Sequence, residues 1–338
     1  MPYIITHNKA QSFKGQIIKM WNEYLPGTPG ERFEWMQDNP AGDAIWYLAI
    51  DEKSNELAGT ISIMPRNMTI NNRNIKVGIV GDFMTGYKYR VFGPAIELQK
   101  TVINSMSELG LEFIYSIPND ASIKLAERVG FRNIAKLLYL VKPIKLDHYL
   151  CKYINRHLSK LISPIVEQLL KIISKESYVI SKGVYKEHKS INGSFDIFWE
   201  RYKDINSGLI GNHDSDYLQW RFKQNPLQKY RILSYEEKAS EDISGYIIFC
   251  INTNKMEIHD VVSFNEKITD KLIKKIIEMA RKENCQAIYI RISEENPLMN
   301  QLKNYRFIDA KGDACVLVYG KNESIYEHWS FFEGDRNL

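Results

Sequence analysis

The order of elements in the first half of this 338-residue chain recurs in the second, and that repeat limits the fold more than any other feature. In the first half, short helices over 16–25 and 30–38 are separated by the turn Pro26-Gly27-Thr28-Pro29-Gly30. A hairpin follows, with strands at Trp46 to Ile50 and Leu57 to Pro65, and then a third strand from Ile75 to Met84. A loop rich in glycine and tyrosine leads to a helix over Pro94 to Leu109, ended by Gly110. Phe113 to Ile117 reads as a buried strand, 119–129 as a helix and 134–142 as a closing strand. In the second half, strands are expected at 229–236, 243–252 and 255–264, a helix at 267–283, a strand at 285–293, a helix at 296–304 and a last strand at 313–320. Two tandem copies of one α/β unit is the simplest account.

Between the copies, Leu150, Ile154, Leu158, Leu161, Ile165, Leu169 and Ile172 recur at three- and four-residue steps among lysines and arginines. The spacing predicts an amphipathic helical connector broken near Pro164. Such a helix can pack along both domains or lie on an anionic membrane surface. The expected division is a first domain over 1–142, a linker over 143–190 and a second domain over 191–338.

The 45 basic and 41 acidic residues leave a net charge of +4, too balanced to argue for nucleic acid. Cys151, Cys250, Cys285 and Cys315 show neither C-x-x-C spacing nor a zinc-type cluster, so buried free thiols in a reducing compartment and no metal are expected. The first residues do not read as a signal peptide, and no run of about 18 apolar residues suggests a spanning helix. A cytoplasmic protein is expected.

The chemistry concentrates in the stretch from Val80 to Ala95, where a strand ends, a tight loop follows and a helix begins. Gly86 and Gly93 allow backbone conformations that a Cβ forbids. The free N–H groups of the helix start, with Lys88 and Arg90 at the rim, can cradle a pyrophosphate or can be a plain connection. The loop Arg90-x-x-Gly93-x-Ala95 resembles the R/Q-x-x-G-x-G/A loop of the GNAT acyltransferases. Downstream, Asn119-x-x-Ser122-x-x-Leu125-Ala126-x-x-x-Gly130-Phe131 resembles the helix and turn of the same family.

That resemblance implies a fold of two tandem GNAT-type domains, each a mixed, mostly antiparallel sheet flanked by helices. It implies acyl-CoA as co-substrate, held by Met84, Arg90, Val91, Phe92, Gly93, Pro94, Ala95 and Asn119. Met84 would offer its backbone N–H to the thioester carbonyl. Asn119 is equally well read as a helix cap. Asp82 is a candidate to orient the attacking amine, or a cap. Two departures from the family pattern stand out. Pro94 removes one N–H from the cradle, and Ala126 occupies the position where many relatives place a general-acid tyrosine, for which Tyr115 and Tyr139 are conceivable substitutes. The second copy has Asn265-Glu266-Lys267-Ile268 where the cradle would be, without glycine and with an acid, so one CoA site per chain is expected.

The segment 212–226 is dense in polar and aromatic residues and can be a capped amphipathic helix or part of the acceptor site. His213, Tyr217, Arg221 and His259 are the candidate substrate-binding residues there and nearby. The whole layout resembles the tandem-GNAT nucleotide-sugar N-acyltransferases of surface-polysaccharide and O-antigen pathways. Members of that group move an acetyl or 3-hydroxybutanoyl group to the amine of a dTDP-linked 3-amino-3,6-dideoxygalactose. The partners so implied are small molecules, with no nucleic acid, no stable membrane insertion and compatibility with a monomer. Acetyltransferases of a protein or peptide amine, peptidoglycan-type aminoacyl transferases and a non-enzymatic binding protein are the other readings.

Overall fold

The computed structural model describes residues 3–7, 9–90, 93–151, 154–180, 182–237, 242–322, 325–326 and 329–336. Their fourteen strands form one continuous mixed sheet. The first copy supplies β1 (Tyr3–Thr6), β2 (Ile45–Asp51), β3 (Leu57–Ile70), β4 (Arg73–Thr85), β5 (Phe113–Ser116) and β6 (Arg132–Pro143). Its helices are α1 (Ala10–Tyr24), α2 (Arg32–Gln37), α3 (Pro94–Ser105) and α4 (Asp120–Arg128). The connector holds α5 (Asp147–Leu150) and α6 (Arg156–Ile172). Then come β7 (Val184–His188), α7 (Ser194–Ile205), β8 (Ile210–Gly211), α8 (Ser215–Leu218), β9 (Arg231–Glu236), β10 (Ile243–Asn252) and β11 (Lys255–Ser263). The chain finishes with α9 (Glu266–Lys282), β12 (Ala287–Ser293), α10 (Leu298–Asn304), β13 (Ile308–Asp309) and β14 (Ala314–Gly320).

The strands run β1-β2-β3-β4-β5-β14-β6-β12-β11-β10-β9-β7, with β13 beside β6 and β8 beside β3. Pairing is antiparallel except at two equivalent places, β4 with β5 and β11 with β12. The two copies are thus recognisable, but they exchange their closing strands. The last strand of the chain, β14, pairs with β5 of the first copy, Leu317 opposite Ser116. In return β6 pairs with β12 of the second copy over Leu137 to Pro143. The exchanged strands also pair with each other, so neither sheet is complete without the other half of the chain.

Apolar residues on both faces of the central strands give this sheet two covered sides. Trp46, Leu48 and Ile50 enter one core with α1, α2 and α7, while Tyr47 and Ala49 enter another beneath α3. A third core surrounds α9, whose Leu272, Ile273, Ile276 and Ile277 are fully buried. The first of these cores crosses the boundary between copies. There the rings of Trp35 and Trp220 stack at 4.6 Å, and each indole N–H donates to the other residue's carbonyl, at 2.9 and 2.7 Å.

Two expectations need correcting. Helix α6 runs through Pro164 without a break. The carbonyl freed by the missing N–H belongs to Lys160, which is exposed and can bond to water instead. Of the cysteines, Cys250 and Cys285 are buried, but Cys151 is exposed.

After β14 the chain returns through the seam between the copies. Asp335 there forms a buried ion pair with Arg66 of β3 at 2.5 Å, both side chains under a tenth exposed. Arg66 also donates to the Tyr115 hydroxyl at 3.1 Å, which donates in turn to the Asp335 carbonyl at 2.7 Å. Removing one member of a buried pair strands the other charge. Asp335→Ala should therefore cost about 3–5 kcal/mol, whereas Arg66→Met with Asp335→Leu should recover most of it. Urea unfolding of the single and double variants measures the difference.

Candidate active site

The parallel pairing of β4 with β5 is confined to Gly78 opposite Ile114 and Ile79 opposite Tyr115. Beyond them β4 continues to Thr85 while β5 stops at Ser116, and the two strands diverge. A cleft of about 570 Å³ opens in the wedge between them. Val80 to Met84 forms one wall and Ser116 to Asn119 the other, with Gln99 and Val102 of α3 and Ala126 of α4 above.

A bulge shapes the first wall. Thr60 faces Met84 and Ser62 faces Gly81, so β4 carries one residue more than β3 between those pairs. The bulge puts Asp82 in the left-handed region, φ +48°, which aspartate tolerates better than most residues. Its carboxylate accepts from Trp21 Nε1 at 3.0 Å, from Ser62 Oγ at 2.8 Å and from both terminal nitrogens of Arg32. The Asp82 side chain has no exposure and that of Arg32 is only 4% exposed. Asp82 thus borders the cleft with a carboxylate already held by three internal partners. Met84 lines the same wall, where a backbone donor can face a carbonyl set between the strands.

Helix α3, which lines the cleft with Gln99 and Val102, begins one to two turns earlier in the chain, and none of Arg90, Gly93, Pro94 and Ala95 is among the lining residues. Gly93 is its N-cap with φ +84°, a conformation that a side chain resists, and Pro94 takes the first helical position, where a missing N–H costs nothing. In the first turn the Ile96 and Glu97 N–H groups donate to the Gly93 carbonyl at 3.2 and 3.4 Å, and the Ala95 N–H stands at the positive end of the helix dipole. Arg90 is exposed, its guanidinium over the rings of Tyr24 and Tyr87 at 5.8 and 5.4 Å. Lys88 is paired with Glu56. Val91 and Phe92 lie outside the described residues. A helix start capped by glycine with an arginine at its rim is chemically suited to a diphosphate. Asn119 caps α4, its Oδ1 accepting from Ser122 N–H at 3.1 Å, and also lines the cleft.

No histidine or tyrosine lines the cleft among the described residues. Tyr115 is turned into the Arg66–Asp335 pair, and Tyr139 stacks on Tyr289 at 5.2 Å in the second copy's vicinity. His213, Tyr217, Arg221 and His259 are not brought to the cleft either. They lie in the buried polar seam between the copies. His213 Nδ1 bonds the Tyr246 hydroxyl at 2.8 Å and its Nε2 lies 3.2 Å from Asp260. Tyr217 lies under the Arg66 guanidinium at 5.2 Å. Arg221 donates to the carbonyls of Gly334 and Arg336. His259 contacts Cys250 Sγ at 3.5 Å. With Glu257, these two place three possible metal-ligand atoms within 4.8 Å of one another.

The second copy does reach the cleft, through residues the sequence did not single out. Asn225 accepts from Leu227 N–H at 2.8 Å, and that turn sets Leu227 and Gln228 in the cleft wall. Arg336 of the returning tail lines it as well. The Asn225-Pro226 turn signal precedes these residues, but nothing local in the sequence points to Arg336.

The equivalent wedge of the second copy is filled. β11 and β12 pair from Lys255 with Ala287 to Ile258 with Ile290 and then part. The tail enters there: Phe332 bridges Ile292, Ser293 N–H donates to the Phe331 carbonyl at 3.2 Å, and a Cβ on Gly334 would stand 3.0 Å from the His259 carbonyl. The following helix, α9, starts without glycine, capped by Asn265 with Glu266 in its first turn.

A mixed sheet whose parallel strand pair splays beside a helix is the architecture of the GNAT transferases, present here twice, with a glycine cap on that helix in the first copy alone. Residues 9–134 match the acetyltransferase (GNAT) domain family, so the first half carries a GNAT acyltransferase domain, for which acyl-CoA is the co-substrate. No curated protein matches the chain in sequence. Among solved structures, a GCN5-related N-acetyltransferase from Anabaena variabilis superposes with a TM-score of 0.66 at 13% identity, over 93% of this chain and 72% of that one. A protein of unknown function from Enterococcus faecalis, described as a probable N-acyltransferase, gives 0.65 at 11% identity, over 97% and 73%. The Saccharomyces cerevisiae N-myristoyltransferase with bound myristoyl-CoA gives 0.58 at 12% identity, over 94% and 84%. These likenesses establish the fold across both copies.

Gly93→Glu should reduce CoA affinity by at least roughly a hundredfold, since it puts a carboxylate and a strained backbone at the diphosphate cradle; calorimetric titration measures this, and circular dichroism should show the fold retained. A second outcome concerns pH. Burial pushes the His259 imidazolium down to about 3 and, with Lys186 and Lys223 adding to the effect, that of His188 down to about 4. Both then stay neutral in the folded chain while the unfolded chain takes up protons below about pH 6.5. Stability attributable to each should fall by about 1.4 kcal/mol per pH unit from there down to its folded pKa. His188→Gln should remove one such contribution from the pH dependence of urea unfolding.

Proposed function

We propose that this chain transfers an acyl group, acetyl or 3-hydroxybutanoyl, from CoA to the amine of a dTDP-linked amino sugar. The observation that carries this reading is a cleft walled by both copies that offers no uncommitted base among its described residues. The carboxylate beside it, Asp82, is held by Trp21, Arg32 and Ser62. A lysine amine, with a pKa of about 10.4, would arrive protonated and need such a base. A sugar amine flanked by hydroxyls is less basic and arrives partly neutral.

In the proposed reaction the amine nitrogen attacks the thioester carbonyl carbon, the new C–N bond forms as the C–S bond breaks, and the amine's proton passes to water. The Met84 N–H faces the carbonyl oxygen as it gains charge. The first turn of α3, with Arg90, Gly93 and Ala95, holds the diphosphate of CoA, and Asn119 borders the arm. Ala126, in place of a larger side chain, leaves room and no acid, which a thiolate leaving group with a pKa of about 8.5 tolerates. Proximity then supplies much of the rate. Asp82 acts on the amine through the cleft wall it fixes. Leu227, Gln228 and Arg336 form the acceptor side, where Arg336, its side chain about a third exposed, can meet a nucleotide diphosphate. The myristoyl-CoA held by the yeast fold relative supports an architecture that accepts more than acetyl.

The test combines thermal shift with turnover. CoA and dTDP should each raise the melting temperature, and dTDP-amino sugars should release CoA where peptide amines do not. The pH profile of kcat/KM should rise with unit slope to the pKa of the acceptor amine, and the break should move when an acceptor of different amine pKa is used. Stabilisation by CoA without any by dTDP or UDP, together with turnover of a peptide amine, would replace the sugar reading with that of a protein acetyltransferase.

A further inference from the structure

Helix α6 is mounted with its apolar side outward. At 3.6 residues per turn, Leu158, Leu161, Ile165, Leu169 and Ile172 fall within an arc of about 80°. All five are exposed, by 48%, 71%, 63%, 56% and 49% respectively. The residues this helix buries are Ser159 and Ser163. Past its end, Ile173, Tyr178 and Ile180 are exposed as well. A contiguous apolar ridge on the outside of a folded chain marks a contact surface.

The charges around the ridge decide what that contact is. On one side of the arc His157, Lys171 and Lys160 stand about 40°, 80° and 100° beyond its edge, all exposed, and Arg156 stands at the helix start. The helix has a single carboxylate, Glu167, and it accepts from the Leu146 N–H at 2.6 Å instead of balancing those cations. A second copy of the chain would bring the same cations toward these. An anionic lipid surface complements them, and it takes an apolar stripe into the boundary between headgroups and acyl chains. No described helix is long and apolar enough to cross a membrane, so the contact is one of lying on the surface.

We propose that α6 seats this protein on an anionic membrane surface, with Leu161, Ile165 and Leu169 entering the bilayer boundary and the long side chains of Lys160 and Lys171 reaching back from the flank toward lipid phosphates. None of these residues lines the acyltransferase cleft, so docking and CoA binding are separable.

Flotation of the full chain with vesicles tests this, comparing phosphatidylcholine alone with phosphatidylcholine containing about one third phosphatidylglycerol. The expected result is roughly tenfold stronger association with the anionic vesicles, weakening as salt is raised. Leu161→Glu with Ile165→Glu and Leu169→Glu should abolish it while leaving the CoA-induced thermal shift unchanged. Lys160→Glu with Lys171→Glu should remove the preference for anionic lipid. Equal association with both vesicle types, or undiminished flotation of the triple variant, overturns the proposal. So does an absence of flotation combined with a wild-type dimer in sedimentation that the triple variant loses, which would make the ridge an interface between copies.

Discussion

The hydrogen-bonded pairing of β14 with β6 at the middle of the sheet is the constraint on which the rest of the structure depends. Each of these strands completes the sheet of the copy it does not follow in sequence. The linker leaves β6 in the middle of the sheet and reaches β7 at its far edge, and after β14 the tail returns through the seam. The exchange also explains why the seam is so heavily bonded. A seam made only of docked surfaces could slide, but one made of shared strands has a register, and the Trp35–Trp220 stack and the Arg66–Asp335 pair are set within it. Residues from both halves can then line one cleft with fixed spacing, as reactive geometry requires.

The two wedges show how one architecture yields one site. In both copies a parallel strand pair zips for a few residues and then parts, and in both the third strand carries a bulge beyond the zipped region. In the first copy the bulge turns Asp82 inward to bind Trp21, Arg32 and Ser62, and the wedge stays open. In the second the bulge falls at His259, and Phe331 to Asp335 pack into the opening. The same tail residues then pass to Arg66 and end with Arg336 at the open cleft. Filling one wedge therefore helps to wall the other.

Much of this was legible in the sequence because it is written locally. The paired hairpins, the helix over Pro94–Ser105 and the strand over Phe113–Ser116 follow from apolar runs bounded by glycine and polar turns. Gly93 and Asn119 could be singled out because a left-handed cap and an Asx cap have residue signatures. The strand exchange left no trace, since the apolar runs of β6 and β14 would suit either sheet. Histidines and aromatics in polar company, such as His213 and Tyr217, fit a capped amphipathic helix or an acceptor site in sequence, and the same residue types also make a satisfied buried network. Burial is the property that separates the two, and it arises from the tail's return, a contact between Arg66 and Asp335 that lie far apart in the chain.

The cleft is specialised by subtraction. A wall with Ala126 where a tyrosine could stand, and with its nearest carboxylate fully engaged, gives up acid–base assistance and keeps position, backbone donors and an apolar channel. Such a site can be efficient only toward a nucleophile that supplies its own lone pair near neutral pH and a leaving group that departs as an anion. Thioesters meet the second condition by their chemistry. In the reaction proposed above the first condition falls on the acceptor, and its selectivity would rest on the amine pKa, with the wall built by Leu227, Gln228 and Arg336 left to recognise what carries that amine.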